Sequence, residues 1–238
     1  MLEGRKITKK FGGLVCLRDV DITIEEGKIV GLIGPNGAGK TTLFNVISGF
    51  YRSDGGTIRL QDHDISRLSR NRICRLGLTR TFQIVKPFST MTVFENVLVG
   101  ALSGIHNVAG ASDYAEETLR FTGLWERRNE MAGTLTLSSR KRLEIARALA
   151  TRPRLLFLDE VMAGLNPTEV KEAIDLIRMI RDRGVTVLMI EHIMKAIMSL
   201  CDRIVVLHLG EKIAEGTPEE ITSDRAVILA YLGEDYIA

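Results

Sequence analysis

Cysteine is scarce in this chain of 238 residues, with only Cys16, Cys74 and Cys201. Three thiols, odd in number, widely spaced and set among apolar neighbours, exclude a disulfide framework and read as reduced cysteines of a cytosolic protein. No sign of charge prevails either. Lys and Arg number 32 against 30 Asp and Glu, a net charge of +2, which excludes nucleic acid or an anionic membrane surface as the main partner. No apolar run approaches the ~20 residues that span a bilayer. The longest uncharged stretch, Asn96 to Ser112, is broken by glycines, asparagines and His106. The opening MLEGRKITKKFGG has no apolar h-region, so no secretory signal is expected. Internal repeats and low-complexity linkers are lacking. What is present is 45% hydrophobic and 26% charged, close to the average of a soluble globular protein. That excludes disorder and coiled coil, and the length suits one large domain or two small ones.

The hydrophobic pattern alternates between two periods. Val20-Asp21-Ile22-Thr23-Ile24 has period two and runs into Glu25-Glu26-Gly27, which predicts a hairpin of half-buried antiparallel strands. Lys28 to Ile33 is nearly all apolar, the pattern of a strand buried on both faces. A helix follows over Thr41 to Ser48, with Gly49 as its C′ glycine, and then a short strand over Thr57 to Leu60. From Val93 to Leu149 the pattern is mostly helical, with Gly104 to Ser112 as a loop. Arg154 to Leu158 and Val185 to Ile190 are further buried strands, and Ile204 to Leu209 another. Thr168 to Arg183 and Ile193 to Cys201 are helices between them. Strand-helix alternation of this kind implies an α/β fold with a mostly parallel sheet, interrupted by an inserted helical subdomain.

Gly34-x-x-x-x-Gly39-Lys40-Thr41 matches the P-loop, and it sits between a buried strand and a helix as that motif requires. Glycines let successive amides point at one phosphate, and the helix N-terminus adds partial positive charge. Gly34, Pro35, Asn36, Gly37, Ala38, Gly39, Lys40, Thr41 and Thr42 are therefore the candidate nucleotide-binding residues, with Lys40 on the β and γ phosphates and Thr41 on Mg²⁺. A second signal is the apolar strand Leu155 to Leu158, which ends in two adjacent carboxylates, Asp159 and Glu160. In open α/β sheets that end of a strand faces the ligand.

With a phosphate loop and an acid pair in place, the whole chain resembles the nucleotide-binding subunit of an ATP-binding cassette (ABC) transporter. The resemblance implies a P-loop NTPase (RecA-like) core with an N-terminal antiparallel β subdomain and an inserted α-helical subdomain. Residues 1–87 and 151–217 would form the core, 88–150 the helical part and 218–238 a C-terminal helical tail. It implies ATP and Mg²⁺ as cofactors and hydrolysis of ATP as the activity. Asp159, Thr41 and Gln83 would hold the metal, Glu160 would polarise the attacking water, and Gln83 and His192 would sense the γ phosphate. Phe11 would stack on adenine. Ala163-Gly164-Leu165-Asn166 matches the family's D-loop, and Glu144 to Leu149 the helix after its signature motif.

Within the family the wording Arg80-Thr81-Phe82-Gln83, Met91 to Val97, Arg142 to Leu149 and Ala163 to Pro167 is most similar to the ATPases of branched-chain amino acid importers. That implies a second, homologous ATPase subunit and an integral membrane permease as partners. The permease would bind at the Gln83 loop, over Ile84 to Phe88, and at the helical subdomain. A substrate-binding protein would be an indirect partner, nucleic acid none, and the chain would sit at the cytoplasmic face of the membrane through the permease. Substrate would touch the permease and a separate receptor and not this chain, so other amino acids, urea or an exported lipid stay open. The signature departs from the family's Leu-Ser-Gly-Gly-Gln: it falls on Leu135-Thr136-Leu137-Ser138-Ser139. Thr136, Ser138 and Ser139 would face ATP bound to the partner. With both glycines and the glutamine gone, a subunit with impaired turnover is the other open reading. Val161 replaces the proline common after the catalytic glutamate.

Overall fold

The computed structural model describes residues 1–83 and 86–232. Ile84 and Val85, part of the expected permease-binding stretch, and Gly233 to Ala238, the end of the expected helical tail, lie outside the described residues.

The chain opens with a hairpin, though not where alternation predicts one. β1 (Leu2–Phe11) and β2 (Leu14–Ile24) pair antiparallel around Gly12 and Gly13. Glu25 to Gly27 instead carries the chain into a different sheet, through β3 (Ile29–Ile33). The reason lies in burial. β2 hides only Leu17, Val20, Ile22 and Ile24, whereas all of Ile29 to Ile33 is buried, and that needs cover on both faces. β1 was hidden in the sequence because shifts of register beside Ile7 spoil its alternation. β4 (Gly55–Leu60) and β5 (His63–Asp64) complete a four-stranded sheet of order β2-β1-β4-β5.

The second sheet carries the site. After β3 come α1 (Lys40–Ile47), α2 (Arg70–Arg75) and β6 (Leu78–Arg80). Three helices follow: α3 (Val93–Ala101), α4 (Val108–Phe121) and α5 (Leu137–Ala150). The chain then returns as β7 (Leu155–Asp159), α6 (Pro167–Asp182), β8 (Thr186–Ile190), α7 (Met194–Leu200), β9 (Arg203–His208) and β10 (Glu211–Gly216). Short helices α8 (Pro218–Ser223) and α9 (Arg225–Leu232) close the described chain. The strand order is β10-β9-β3-β8-β7-β6. All neighbours run parallel except the edge strand β10.

Period-two geometry splits β3 between two cores. Val30 and Leu32 join the cluster shared with the antiparallel sheet and α1, where Phe44 and Phe157 pack with ring centroids 4.7 Å apart. Ile29 and Ile33 join the opposite cluster, under α6 and α7. A third cluster, including Val97, Leu119, Leu143 and Ala146, lies among α3, α4 and α5. α4 starts inside the expected Gly104–Ser112 loop, because the Asn107 side chain caps it by accepting the Gly110 N–H at 2.6 Å.

α3 rests on α5 at Gly100. A Cβ there would stand 2.5 Å from the Arg147 carbonyl oxygen and 3.0 Å from Ala150 Cβ. Backbone cannot give way as a side chain can, so Gly100→Val should lower stability by about 1–3 kcal/mol. A urea midpoint equal to that of the parent would show that the two helices do not meet there.

Candidate functional site

Strand register brings the candidate residues to one level. Leu32 of β3 pairs with Ile190 of β8, and Ile190 pairs with Asp159 of β7. Neighbouring strands lie roughly 4.8 Å apart, so whatever follows these three positions leaves the sheet along one short front. That front is the carboxyl edge, where ligands of such sheets bind. β3 delivers the loop Gly34 to Thr42, β7 delivers Glu160, and β8 delivers Glu191 and His192. β6, beside β7, delivers Arg80 and then Gln83.

The loop has the backbone that its glycines suggested. Gly37 and Gly39 have φ of 81° and 100°, open to glycine and strained for other residues. A Cβ on Gly39 would lie 2.8 Å from the Cys16 carbonyl oxygen, so β2 braces the loop from behind. Asn36, Gly37 and Thr41 are exposed, Pro35, Gly39 and Thr42 half-buried, and Gly34, Ala38 and Lys40 buried. The first-turn amides of α1 have no intrahelical partner. Lys40 Nζ donates to the Gly34 and Pro35 carbonyls at 2.7 and 2.9 Å. Burial pushes its ammonium pKa down, against the pull of Glu160 and Asp159.

Glu160 stands at the centre. Gln83 Nε2 donates to one carboxylate oxygen at 2.7 Å, and His192 Nε2 lies 2.8 Å from the other. Its backbone has φ of 49°, a sparsely populated region for a residue with a Cβ. The surroundings hold it there. Its N–H donates to the Ile190 carbonyl at 2.9 Å, and its own carbonyl accepts from Lys141 Nζ at 2.7 Å. Glu191, buried, accepts the Met162 N–H at 2.7 Å and so fixes the turn beyond Glu160.

Asp159 meets Arg80, which precedes Gln83 by three residues. Arg80 Nη2 donates to Asp159 Oδ2 at 2.8 Å, with the two side chains only 7% and 4% exposed. Arg80 Nη1 also donates to Asn45 Oδ1 of α1 at 2.6 Å, and its guanidinium lies 4.8 Å from the Phe82 ring centroid and 5.2 Å from that of Phe50. Burial pushes the Asp159 carboxyl up, and Arg80 pulls it back. Oδ1 of Asp159 accepts no hydrogen bond from the described residues. That oxygen and the Thr41 hydroxyl are hard donors of the kind Mg²⁺ takes. Among the described residues no three His, Cys, Asp or Glu side chains gather as a metal cage. A metal here would complete its shell with phosphate oxygens and water, as Mg²⁺ does.

Two expected elements stand apart from this cluster. Phe11 ends β1, 41% exposed, with Tyr51 edge-on at 5.1 Å and Lys9 Nζ 5.1 Å from its ring centroid. Thr136 caps α5, its hydroxyl accepting the Ser139 N–H at 3.4 Å and donating to Ser139 Oγ at 3.2 Å. Arg127 also donates to Ser139 Oγ. Among the described residues no hydrogen bond joins Thr136, Ser138 or Ser139 to the loop Gly34 to Thr42. Arg80, Lys141 and Glu191 were not foreseen. An arginine in a three-residue strand, a lysine in a basic helix and an acid before a histidine carry no local mark of burial.

The chain matches the family described as ABC transporter over residues 17–163. It also matches the family described as Branched-chain amino acid ATP-binding cassette transporter over residues 211–237. It is 45% identical to the high-affinity branched-chain amino acid transport ATP-binding protein BraF of Pseudomonas aeruginosa, over 98% of each chain. It is 44% identical to the corresponding protein LivG of Escherichia coli K12, again over 98% of each. Among solved structures, the ADP conformation of MJ1267, an ATP-binding cassette of an ABC transporter, superimposes with a TM-score of 0.89 at 31% identity, covering 98% of this chain and 99% of that one.

Because Arg80 and Asp159 are both buried, removing one strands the other. Arg80→Met should cost about 3–5 kcal/mol in urea unfolding. A loss under ~1 kcal/mol, the range of an exposed pair, would show that solvent reaches Asp159 freely.

Proposed function

The chain belongs to the family of ABC transporter ATP-binding subunits, which are ATPases, and from that premise we propose that it powers the import of branched-chain amino acids from the cytoplasmic face of the membrane. The substrate class follows the relatives matched almost end to end. The observation that carries the catalytic reading is the convergence of Gln83 and His192 on Glu160, on the strand front that also bears Lys40 and Asp159.

In this reading the amides of Gly34 to Thr42 and the Lys40 ammonium bind the triphosphate, and Phe11 stacks on adenine. Lys40 exchanges the Gly34 and Pro35 carbonyls for phosphate oxygens. Thr41, Asp159 and Gln83 would hold Mg²⁺, which when bound neutralises charge on the phosphates. Glu160 accepts a proton from the attacking water. Both its oxygens are engaged in this structure, so Gln83 must turn from Glu160 toward the nucleotide before water can be activated. His192 then steadies the carboxylate and contacts the γ phosphate.

Partners follow from what the chain leaves uncovered. Thr136, Ser138 and Ser139 reach ATP held by a second ATPase subunit. A cavity of about 750 Å³, lined by Asn71, Arg75, Leu102, His106 and Arg152 among others, opens between α2 and the α3–α4 connection. It lies at the amino ends of β6 and β7, beside Gly77 and Thr151, whereas the cytoplasmic helix of the permease would dock at the carboxyl end, on the Gln83 loop and the helical subdomain, and through the permease a substrate-binding protein acts indirectly. Among the described residues no helix is long and apolar enough to cross a membrane, so attachment runs through that permease. The near-neutral charge supports no nucleic-acid role.

A further reading is asymmetry between the two nucleotide sites. Leu137 is 48% exposed where the signature normally offers glycine, and it reaches Gly164 of the D-loop. The site this chain caps is then impaired, while its own phosphate loop works with an intact partner signature. Nucleotide trapping on the reconstituted pair should label the two sites unequally; equal turnover at both refutes asymmetry.

Glu160→Gln should keep ATP affinity and lose turnover by at least about a hundredfold, the lower range for a general base, leaving a nucleotide-locked dimer. Hydrolysis at the parent rate removes Glu160 from its role. Lys40→Ala should weaken triphosphate binding itself, which equilibrium titration with ATP reads directly.

A further inference from the structure

One side of α5 carries three charged residues, Lys141, Glu144 and Arg147, spaced three apart. Lys141 and Glu144 are only 6% and 9% exposed. Each binds main chain rather than an opposite charge. Lys141 Nζ donates to the Glu160 carbonyl at 2.7 Å. Glu144 Oε1 accepts the Phe82 N–H at 2.7 Å, across 62 positions of sequence. Arg147 Nη1 donates to the Lys86 carbonyl at 3.2 Å, and its guanidinium lies 4.6 Å from the Phe88 ring centroid. The helix that begins at the signature region thus grips the chain on both sides of Gln83 and behind Glu160.

Of the three, Glu144 acts on the residue next to Gln83. Burying a carboxylate is costly unless hydrogen bonds and opposite charges offset the lost hydration. Burial pushes its carboxyl up to about 7, against the Phe82 N–H and the charges of Arg147, Lys141 and Arg80. The one direct hydrogen bond it makes among the described residues holds the backbone where Gln83 leaves β6.

We infer that Glu144 is a positioning residue of the hydrolytic site: by holding the Phe82 amide to α5 it fixes the backbone from which the Gln83 side chain swings between Glu160 and the nucleotide, and it transmits any tilt of α5 to Gln83. This rests on the roles given above to Gln83 and Glu160.

The test compares Glu144→Gln, Glu144→Ala and Glu160→Gln in the full chain, with turnover read on the chain reconstituted with its partner ATPase subunit. Both Glu144 variants should bind ATP within about twofold of the parent, since the phosphate loop is untouched. kcat should fall about tenfold in Glu144→Ala, the worth of one hydrogen bond to a charge. Glu144→Gln should fall less, because its amide oxygen still accepts the Phe82 N–H. KM should stay in place, and amide exchange at Phe82 and Gln83 should quicken in Glu144→Ala. At pH 8 the Glu144→Gln thermal midpoint should equal or exceed that of the parent. The folded-state pKa lies above the unfolded one, so above pH 7 the parent bears the full penalty of a buried ion and the variant is relieved of it. Thus stability and turnover should move apart. An inactive Glu160→Gln beside a Glu144→Ala of parent kcat overturns this role alone. A fall of kcat and midpoint together in Glu144→Gln also overturns it, by making Glu144 merely structural. A Glu160→Gln that hydrolyses ATP at the parent rate removes the catalytic reading and this inference with it.

Discussion

The alignment of three strand ends is the constraint from which the rest follows. Parallel hydrogen bonding sets Leu32, Ile190 and Asp159 in a row. The phosphate loop, His192 and Glu160 then emerge within reach of one another without any of them being adjacent in sequence. Slipping β8 by one residue would exchange the side chains it sends into the two cores, Leu188 and Ile190 on one face and Val187 and Met189 on the other, and carry His192 away from Glu160. The register is held because every residue of β3, β7 and β8 is buried. Apolar burial of that extent, at roughly 1.5–3 kcal/mol for each large side chain, resists slippage far more strongly than any polar contact in the site. The geometry of the candidate site is thus a by-product of core packing.

On that frame the site is built from charges kept out of water. Lys40, Lys141, Glu144, Asp159 and Glu191 are all buried or nearly so. Such groups rarely add stability. Their hydrogen bonds go chiefly to backbone: carbonyls of Gly34, Pro35 and Glu160, and amides of Phe82 and Met162. Backbone groups cannot rotate away, so each contact fixes a position. The same logic explains the left-handed backbone of Glu160. Strain at that residue persists because its N–H and its carbonyl are both engaged by neighbouring elements.

The altered signature sits at the far end of the same helix that carries Glu144. Thr136 still caps α5, so the helix N-terminus is intact as a structure. What has changed is access, with a leucine side chain and an arginine-bound serine where close backbone approach is the family's habit. On the function proposed above, a change at one end of α5 and a grip beside Gln83 along its side would give the helix two roles, facing the partner's nucleotide and this chain's own.

Local patterns determined a good deal. The phosphate loop is legible because its glycines, lysine and threonine are contiguous and act through backbone shape. The buried strands are legible because runs such as Leu155 to Leu158 have no other stable place. The acid pair and His192 could be placed because each directly ends such a strand. What only tertiary structure decided are contacts between distant segments: Arg80 on Asp159, Glu144 on the Phe82 amide, Gln83 on Glu160. β2 found its hairpin partner in the irregular β1 and not beyond Glu25. A charged side chain in a short strand or on a basic helix looks solvated in sequence. Its burial depends on which element packs over it, and that is set by the summed apolar burial of the fold and not by any neighbour in the chain.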